Sequence, residues 1–158
     1  MSIVDLFQEK TVFSFEVFPP RRNSPVETIY DTLDELRDLK PDFISVTYGA
    51  GGGKNNQSTI PIAEHIKKVC EVPSVVHFPC INLTKQDVLE KIEELKTAGI
   101  KNILALRGDI PEGEENRGDF RYASDLIAFL KEHGNFHISA ACYPEGHIEN
   151  PDKVADIR

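Results

Sequence analysis

The chain is short of three things: cysteines that could pair, apolar runs long enough for a membrane, and basic charge. Its three cysteines, Cys70, Cys80 and Cys142, are widely spaced and odd in number. That suits reduced thiols in a cytoplasmic protein rather than a disulfide framework. No apolar run approaches the ~20 residues of a membrane span. Met1 to Lys10 carries acidic residues and no apolar core, so it does not read as a signal peptide. Lysine and arginine number 18 against 26 aspartates and glutamates, a net charge of −8. A nucleic-acid partner would need basic patches to neutralise phosphate, and this balance argues against one. Tryptophan is absent, and the remaining composition is ordinary for a globular chain, with 40% hydrophobic and 28% charged residues. Nothing reads as a linker, a repeat or a low-complexity tract, so one domain is expected for the 158 residues.

What the chain does have is an alternation of strand and helix patterns. Residues 2–10 suggest a short amphipathic helix with Ile3, Val4, Leu6 and Phe7 on its apolar side. Thr11 to Phe18 is rich in β-formers and stops at Pro19-Pro20, which makes it the first strand. Ser24-Pro25 with Glu27 signals a helix start, followed by Ile29, Leu33, Leu36 and Leu39 at helical spacing until Pro41. Further strands are expected at Phe43–Tyr48, Ser74–Cys80, Asn102–Leu106 and Phe136–Cys142. Helices are expected from about Ser58 through Val69, from a Thr84/Asp87 capping box to Gly99, and over Ala123–Glu132 before Gly134. Asp152 to Arg158 resembles the first turns of another helix.

Repeated β–α units of roughly 30 residues imply a parallel sheet with right-handed crossovers, either a (β/α)8 barrel or an open doubly wound sheet. Polar residues and glycines collect after every expected strand: Glu16, Thr47-Tyr48, His77, Arg107-Gly108-Asp109 and Tyr143-Glu145-His147. An open sheet loads mainly one switch point, whereas a TIM barrel builds its site from many strand ends. The fold class is therefore read as α/β, a TIM barrel with about the first five β–α units present. A complete barrel typically takes ~250 residues. The exposed edges of such a partial barrel favour self-association into a homo-oligomer.

The chain's densest glycine tract is Thr47-Tyr48-Gly49-Ala50-Gly51-Gly52-Gly53-Lys54. Two phosphate-binding patterns fail there, the first at two positions and the second at one. Tyr48 stands where a P-loop needs its first glycine, Asn55 stands where it needs Ser or Thr, and Lys54 stands at the third glycine of a dinucleotide fingerprint. Glu16, flanked by Phe15 and Val17, would have a raised pKa if buried, which prepares a carboxyl as general acid. The plainer alternative is an outward-facing residue, or one paired with Arg21 or Arg22. In Arg107-Gly108-Asp109 the arginine suits phosphate and the aspartate a polar ring edge; a salt bridge beside a turn is the alternative. His77, Cys80, His137, Cys142 and His147 lack any paired C-x-x-C spacing, so no metal is expected. His77 and His147 read as neutral hydrogen-bonding groups, with a satisfied core histidine the alternative for His77. Tyr48, Tyr122 and Tyr143 could edge a planar cofactor, and Tyr122 lies at a helix start where anions are favoured.

Four segments together are specific. Phe15-Glu16-Val17-Phe18-Pro19-Pro20-Arg21, Ser45 to Gly52, Leu104-Ala105-Leu106-Arg107-Gly108-Asp109 and Tyr143-Pro144-Glu145-Gly146-His147 resemble methylenetetrahydrofolate reductases, in that family's order. The resemblance covers nearly the whole chain and implies a TIM barrel holding FAD. It implies reduction of 5,10-methylenetetrahydrofolate to 5-methyltetrahydrofolate, with NAD(P)H as the electron donor. By matching position, Glu16 is implied as the general acid that protonates folate N10, and Asp109 as the charge beside flavin and pterin. FAD-contacting positions fall on Thr47, Tyr48, Ala50, His77, Arg107, Gly108, Asp109, Tyr122, Ala141, Tyr143, His147 and Asp156, with Thr47 also serving the nicotinamide. The chain departs from the family at Gly53-Lys54 and after His147, where a proline is common. Two other readings stand beside this one: a non-catalytic fragment that binds flavin or a partner through an open sheet edge, and an unrelated barrel lyase or aldolase using Glu16.

Overall fold

A computed structural model describes residues 2–20, 27–48, 58–110, 113, 115–146, 152 and 154. Five helices and five strands alternate in it: α1 (Ile3–Glu9), β1 (Ser14–Val17), α2 (Glu27–Asp38), β2 (Phe43–Val46), α3 (Thr59–Lys68), β3 (Ser74–Pro79), α4 (Lys85–Thr97), β4 (Asn102–Leu106), α5 (Ala123–His133) and β5 (His137–Ala140). All neighbouring strands are parallel, and their spatial order is their order in the chain, β1-β2-β3-β4-β5. A doubly wound sheet must reverse direction once and place helices on both faces. Here Leu33 of α2, Ile62 and Ile66 of α3, Ile92 and Leu95 of α4, and Leu126 and Leu130 of α5 share one core with Val17, Ile44, Val46, Val76, Phe78, Ile103 and Ala105. All four helices therefore cover the same face of the sheet. The fold is α/β with the winding of a (β/α)8 barrel, as the loaded strand ends imply.

Register fixes what the other, inner face carries. Val17, Val46, Val76, Ile103 and Ile138 pair in one row on the helix side. Alternation then turns Glu16, Ser45, Thr47, Val75, His77, Asn102 and Leu104 inward. At the amino end of the sheet this inner face is apolar, and α1 closes it. Ile3 and Leu6 pack on Val75, with Val12, Phe43 and Leu104 beside them. Asn102 fixes the helix by accepting from the Ile3 amide at 3.3 Å while donating to the Ser74 carbonyl at 3.3 Å. Only half of the apolar side expected for α1 is used, because Val4 and Phe7 remain exposed. With the bottom plugged, the carboxyl ends of the strands are left as the accessible end of the inner face.

Local chemistry sets most boundaries. Thr84 accepts from the Asp87 amide at 3.2 Å while the Asp87 carboxylate accepts from the Thr84 amide at 2.8 Å, the capping box read from the sequence. Gly99 follows α4 at φ +69°, a left-handed conformation that favours glycine. The Ser24-Pro25 helix start and the helix expected beyond Asp152 lie outside the described residues, apart from Asp152 and Val154. No helix among the described residues is long and apolar enough to cross a membrane.

Asp42 ties β2 to the start of β1. Its carboxylate accepts from the Lys10 ammonium and, at 2.9 Å, from the Phe13 amide, while its own amide donates to the Phe13 carbonyl at 2.7 Å. The Lys10 bond first, then the Phe13 amide, hold the carboxyl below the usual carboxylate range. A depressed folded pKa contributes stability above the unfolded pKa, and that contribution disappears as pH falls through the folded value. Asp42→Asn is therefore expected to lower the urea midpoint at neutral pH. The gap to the parent protein should close below the carboxylate range; a gap that persists in acid would show that the pairing has no such role.

Candidate active site

Glu16 of β1, Thr47 just past β2 and His77 of β3 sit at the accessible end of the inner face. Val17 ends β1, and its carbonyl accepts from the Thr47 amide at 3.0 Å, so β1 and β2 stay paired up to the site. Glu16 is not buried: half of its side-chain surface is exposed. The burial considered for it from the sequence is therefore absent. Among the described residues its neighbour is His77, whose Nε2 stands 3.3 Å from Glu16 Oε2; Arg21 and Arg22 lie outside the described residues.

That pair is close without being a hydrogen bond, since Nε2 of His77 is a buried atom with no hydrogen-bond partner. The distance measures charge proximity, and the missing bond reflects direction; both hold. Burial pushes the His77 pKa down, with the Glu16 charge pulling weakly the other way. That shift favours the neutral imidazole. It is not a satisfied core histidine. Thr47 Oγ1 is likewise buried and unpartnered, although the Thr47 carbonyl accepts from Thr59 Oγ1 at 3.2 Å. Two unsatisfied polar atoms on one face are costly, at roughly 1–3 kcal/mol each, unless a ligand completes them.

Tyr48 departs from its implied place. It follows Thr47 and turns to the helix side, where it lines a small cavity with Thr59, Ile60, Val76, Phe78, Lys91 and Leu95. Its hydroxyl is buried and unpartnered there, and burial raises its pKa. Ala50 and the rest of the glycine tract lie outside the described residues, as do His147 and Asp156.

The loop after β4 forms the next wall. Gly108 has φ +84°, and a Cβ there would lie 2.9 Å from Ile81 Cγ2. The middle residue of Arg107-Gly108-Asp109 is thus glycine for conformation and for space. Arg107 Nε donates to the Gly108 carbonyl at 3.1 Å, and Asp109 is exposed. Cys80 links this wall to the next, its thiol lying 3.8 Å from the Arg107 carbonyl and 3.6 Å from that of Tyr122. Burial pushes the Cys80 thiol up to about 11, so it is an inert thiol. Tyr122 immediately precedes α5 and is half exposed. The Asp125 carboxylate accepts from both the Arg121 and Tyr122 amides at 2.9 Å, so these two amides already serve an internal anion. Ala141 and Tyr143 follow β5 and are exposed.

Sequence reasoning missed the clasp that holds these loops together. Asn116 Oδ1 accepts from the Asn82 amide at 3.1 Å and the Gly118 amide at 2.9 Å, while Asn82 Oδ1 accepts from the Arg117 amide at 3.0 Å. The Leu83 carbonyl accepts from the Asp119 amide at 2.9 Å, and Asp119 accepts from the Lys85 amide at 2.7 Å. Asn82 takes φ +59°, which asparagine tolerates better than most residues. Asn116-Arg117-Gly118-Asp119 carries a turn signal; its docking partner, 34 residues earlier at Asn82, carries none that could be read.

A parallel sheet wound in one direction, with helices on one side, defines an α/β protein of the barrel class. One solved structure shares the fold at 11% identity: the 4-hydroxy-tetrahydrodipicolinate synthase from Methylacidiphilum fumariolicum SolV, with a TM-score of 0.53 over 86% of this chain and 45% of that one. Within the barrel class the sequence is far more specific, because the family model for methylenetetrahydrofolate reductase matches residues 2–158. The 5,10-methylenetetrahydrofolate reductase of Pectobacterium carotovorum is 42% identical over 144 residues, covering 91% of this chain and 47% of the relative. That of Escherichia coli K12 is 40% identical, covering 91% and 48%. The Arabidopsis thaliana protein named methylenetetrahydrofolate reductase (NADH) 1 is 36% identical over 153 residues, covering 93% and 25%. The chain belongs to the methylenetetrahydrofolate reductase family. It spans about half the length of its bacterial relatives.

Proposed function

We propose that this chain is the flavin-binding part of a cytoplasmic reductase that converts 5,10-methylenetetrahydrofolate to 5-methyltetrahydrofolate with electrons from NAD(P)H. The observation that carries the proposal is the pair of unsatisfied atoms, Thr47 Oγ1 and His77 Nε2, beside the Glu16 carboxylate. A polar heterocycle such as a flavin fits that need. FAD, when bound, supplies a ring that accepts a hydride from the nicotinamide and yields it to the folate.

The chain's own residues do the rest. Neutral His77 and Thr47 hold ring heteroatoms by hydrogen bonds, and Gly108 lets the loop backbone approach closely. Glu16 gives a proton to folate N10, so that the imidazolidine C–N10 bond breaks and N5 carries an iminium ready to receive hydride. Asp109 places a negative charge where that cation forms. Arg107, Tyr122, Ala141 and Tyr143 line the rim. Tyr48 would join them only with its ring turned from the helix side. Ala50, His147 and Asp156, outside the described residues, are assigned to FAD contact by family position alone. The edges of β1 and β5, unpaired among the described residues, support a homo-oligomer.

Flavin fluorescence quenching tests the site. Thr47→Ala and His77→Ala are each expected to weaken FAD binding about tenfold, the loss of one buried hydrogen bond. Unchanged affinity in both variants would remove the site, and absence of flavin binding in the parent protein would remove the function. The edges of β1 and β5, unpaired among the described residues, favour a second reading, a chain that binds flavin or a partner without turnover. Retained flavin without NAD(P)H oxidation would select it.

A further inference from the structure

On the helix layer, away from the inner face, Asp34, His65 and Cys70 bring one ligand atom each to within 4.8 Å of one another. They come from three places: the middle of α2, the last turn of α3 and the residue after its C-cap. The packing of α2 on α3 assembles them, and no linear spacing announces them. Asp34 Oδ1 stands 3.9 Å from His65 Nε2 and 3.9 Å from Cys70 Sγ. His65 Nε2 is a buried atom with no hydrogen-bond partner. Cys70 is 3% exposed, and its other neighbour is the Leu33 carbonyl, also at 3.9 Å. These are long contacts even for sulfur, so the internal bonds leave all three groups weakly served. The Tyr30 ring lies over His65 with centroids 4.4 Å apart and closes one side.

We infer that Asp34, His65 and Cys70 form a binding site for a borderline divalent transition-metal ion, Zn2+ or Co2+, with water as the fourth ligand. One oxygen, one nitrogen and one sulfur donor are the mixed set that such ions take and that Mg2+ or Ca2+ do not. Metal bonds of about 2.0–2.3 Å put tetrahedral ligand atoms roughly 3.3–3.7 Å apart, so the two 3.9 Å separations close by about half an ångström, and a pair at the 4.8 Å limit closes by about one ångström. Binding displaces the Cys70 thiol proton to solvent, since the thiolate is the ligand. Asp34 is 47% exposed along its side chain and provides the entry path. Arg37 lies 3.8 Å from the same Asp34 oxygen, but it also reaches Asp38 at 3.4 Å and can move there. The site is independent of the flavin proposal.

Titration of the purified protein with Co2+ tests it. One equivalent is expected to produce the near-ultraviolet charge-transfer absorption of a cobalt–thiolate bond. Cys70→Ser and His65→Ala should each abolish the band or weaken binding at least about tenfold, and Cys142→Ser should leave it unchanged. Asp34→Asn, which alters a half-exposed residue without changing its shape, should weaken binding equally. It provides the decisive comparison if the buried variants fail to fold. No thiolate band with the parent protein, or a band that survives both Cys70→Ser and Asp34→Asn, would overturn the assignment.

Discussion

Glu16→Gln is expected to lower reduction of methylenetetrahydrofolate at least about a hundredfold while leaving flavin reduction by NAD(P)H near its parent rate. Glutamine keeps the shape of the side chain beside His77 and removes only the proton. General acid catalysis of this kind contributes typically 10²–10⁴-fold, which sets the scale of the loss. The geometry makes the separation clean. Burial lowers the His77 pKa and so disfavours a lasting ion pair with Glu16 3.3 Å away. Half-exposed, the carboxyl is open to solvent. In the proposed mechanism, hydride transfer from nicotinamide to flavin needs no proton from this group, whereas opening the folate ring does. The two half-reactions are followed separately, by flavin bleaching under NAD(P)H and by its reoxidation with folate. Equal loss in both would make Glu16 a structural or flavin-binding residue; folate reduction at the parent rate would end its role as the acid.

The largest expected effect on stability is at Gly118. A Cβ on this residue would stand 2.5 Å from the Leu83 carbonyl oxygen and 2.6 Å from the Leu83 nitrogen. Both are backbone atoms fixed by the turn before α4, so neither can swing aside as a side-chain end would. Gly118→Ala must push the loop after β4 off the loop after β3. The movement costs about 1–3 kcal/mol of overpacking, and it strains the Gly118–Asn116 and Asp119–Leu83 hydrogen bonds, worth about 1 kcal/mol each. A total loss of about 2–4 kcal/mol is expected in urea denaturation. Flavin affinity should fall with it, because the same clasp positions the wall carrying Arg107 and Gly108. A substitution without effect on either would mean that the two loops do not rest on each other.

The contrast between these two residues shows where the sequence was legible. β4 is read to the residue, Asn102–Leu106, because its apolar run is bounded by Gly99 on one side and Arg107-Gly108 on the other. The Thr84/Asp87 box and the barrel winding are also plain, since capping is local and strand-end loading repeats with every unit. The ends of β1 are not: Phe13 and Phe18 look like strand residues, yet both are exposed and outside the ladder. Leu39 and Val69, expected on apolar helix stripes, are exposed where the helices end. In the site, the type of residue was legible and the partner was not. Glu16 stands out between two apolar neighbours, but its proximity to His77 depends on the stagger of three strands. Tyr48 is different, because the two-residue period that turns Thr47 inward already sends Tyr48 outward. The Asn82–Asn116 clasp needs two loops to meet, and no single stretch encodes that meeting.

The unbroken strand order has a consequence for how the protein comes into being. Each strand's partner on the sheet lies about thirty residues back, as in Phe15 with Ile44, Ile44 with Ser74 and Val76 with Ile103. No strand has to wait for a distant one before it can pair. At about 5–20 residues per second, a ribosome delivers a new β–α unit every few seconds, each meeting an edge already present. The helix that follows then covers the apolar row its strand has just extended. The barrel wall can be laid down as it is synthesised, one stave against the last.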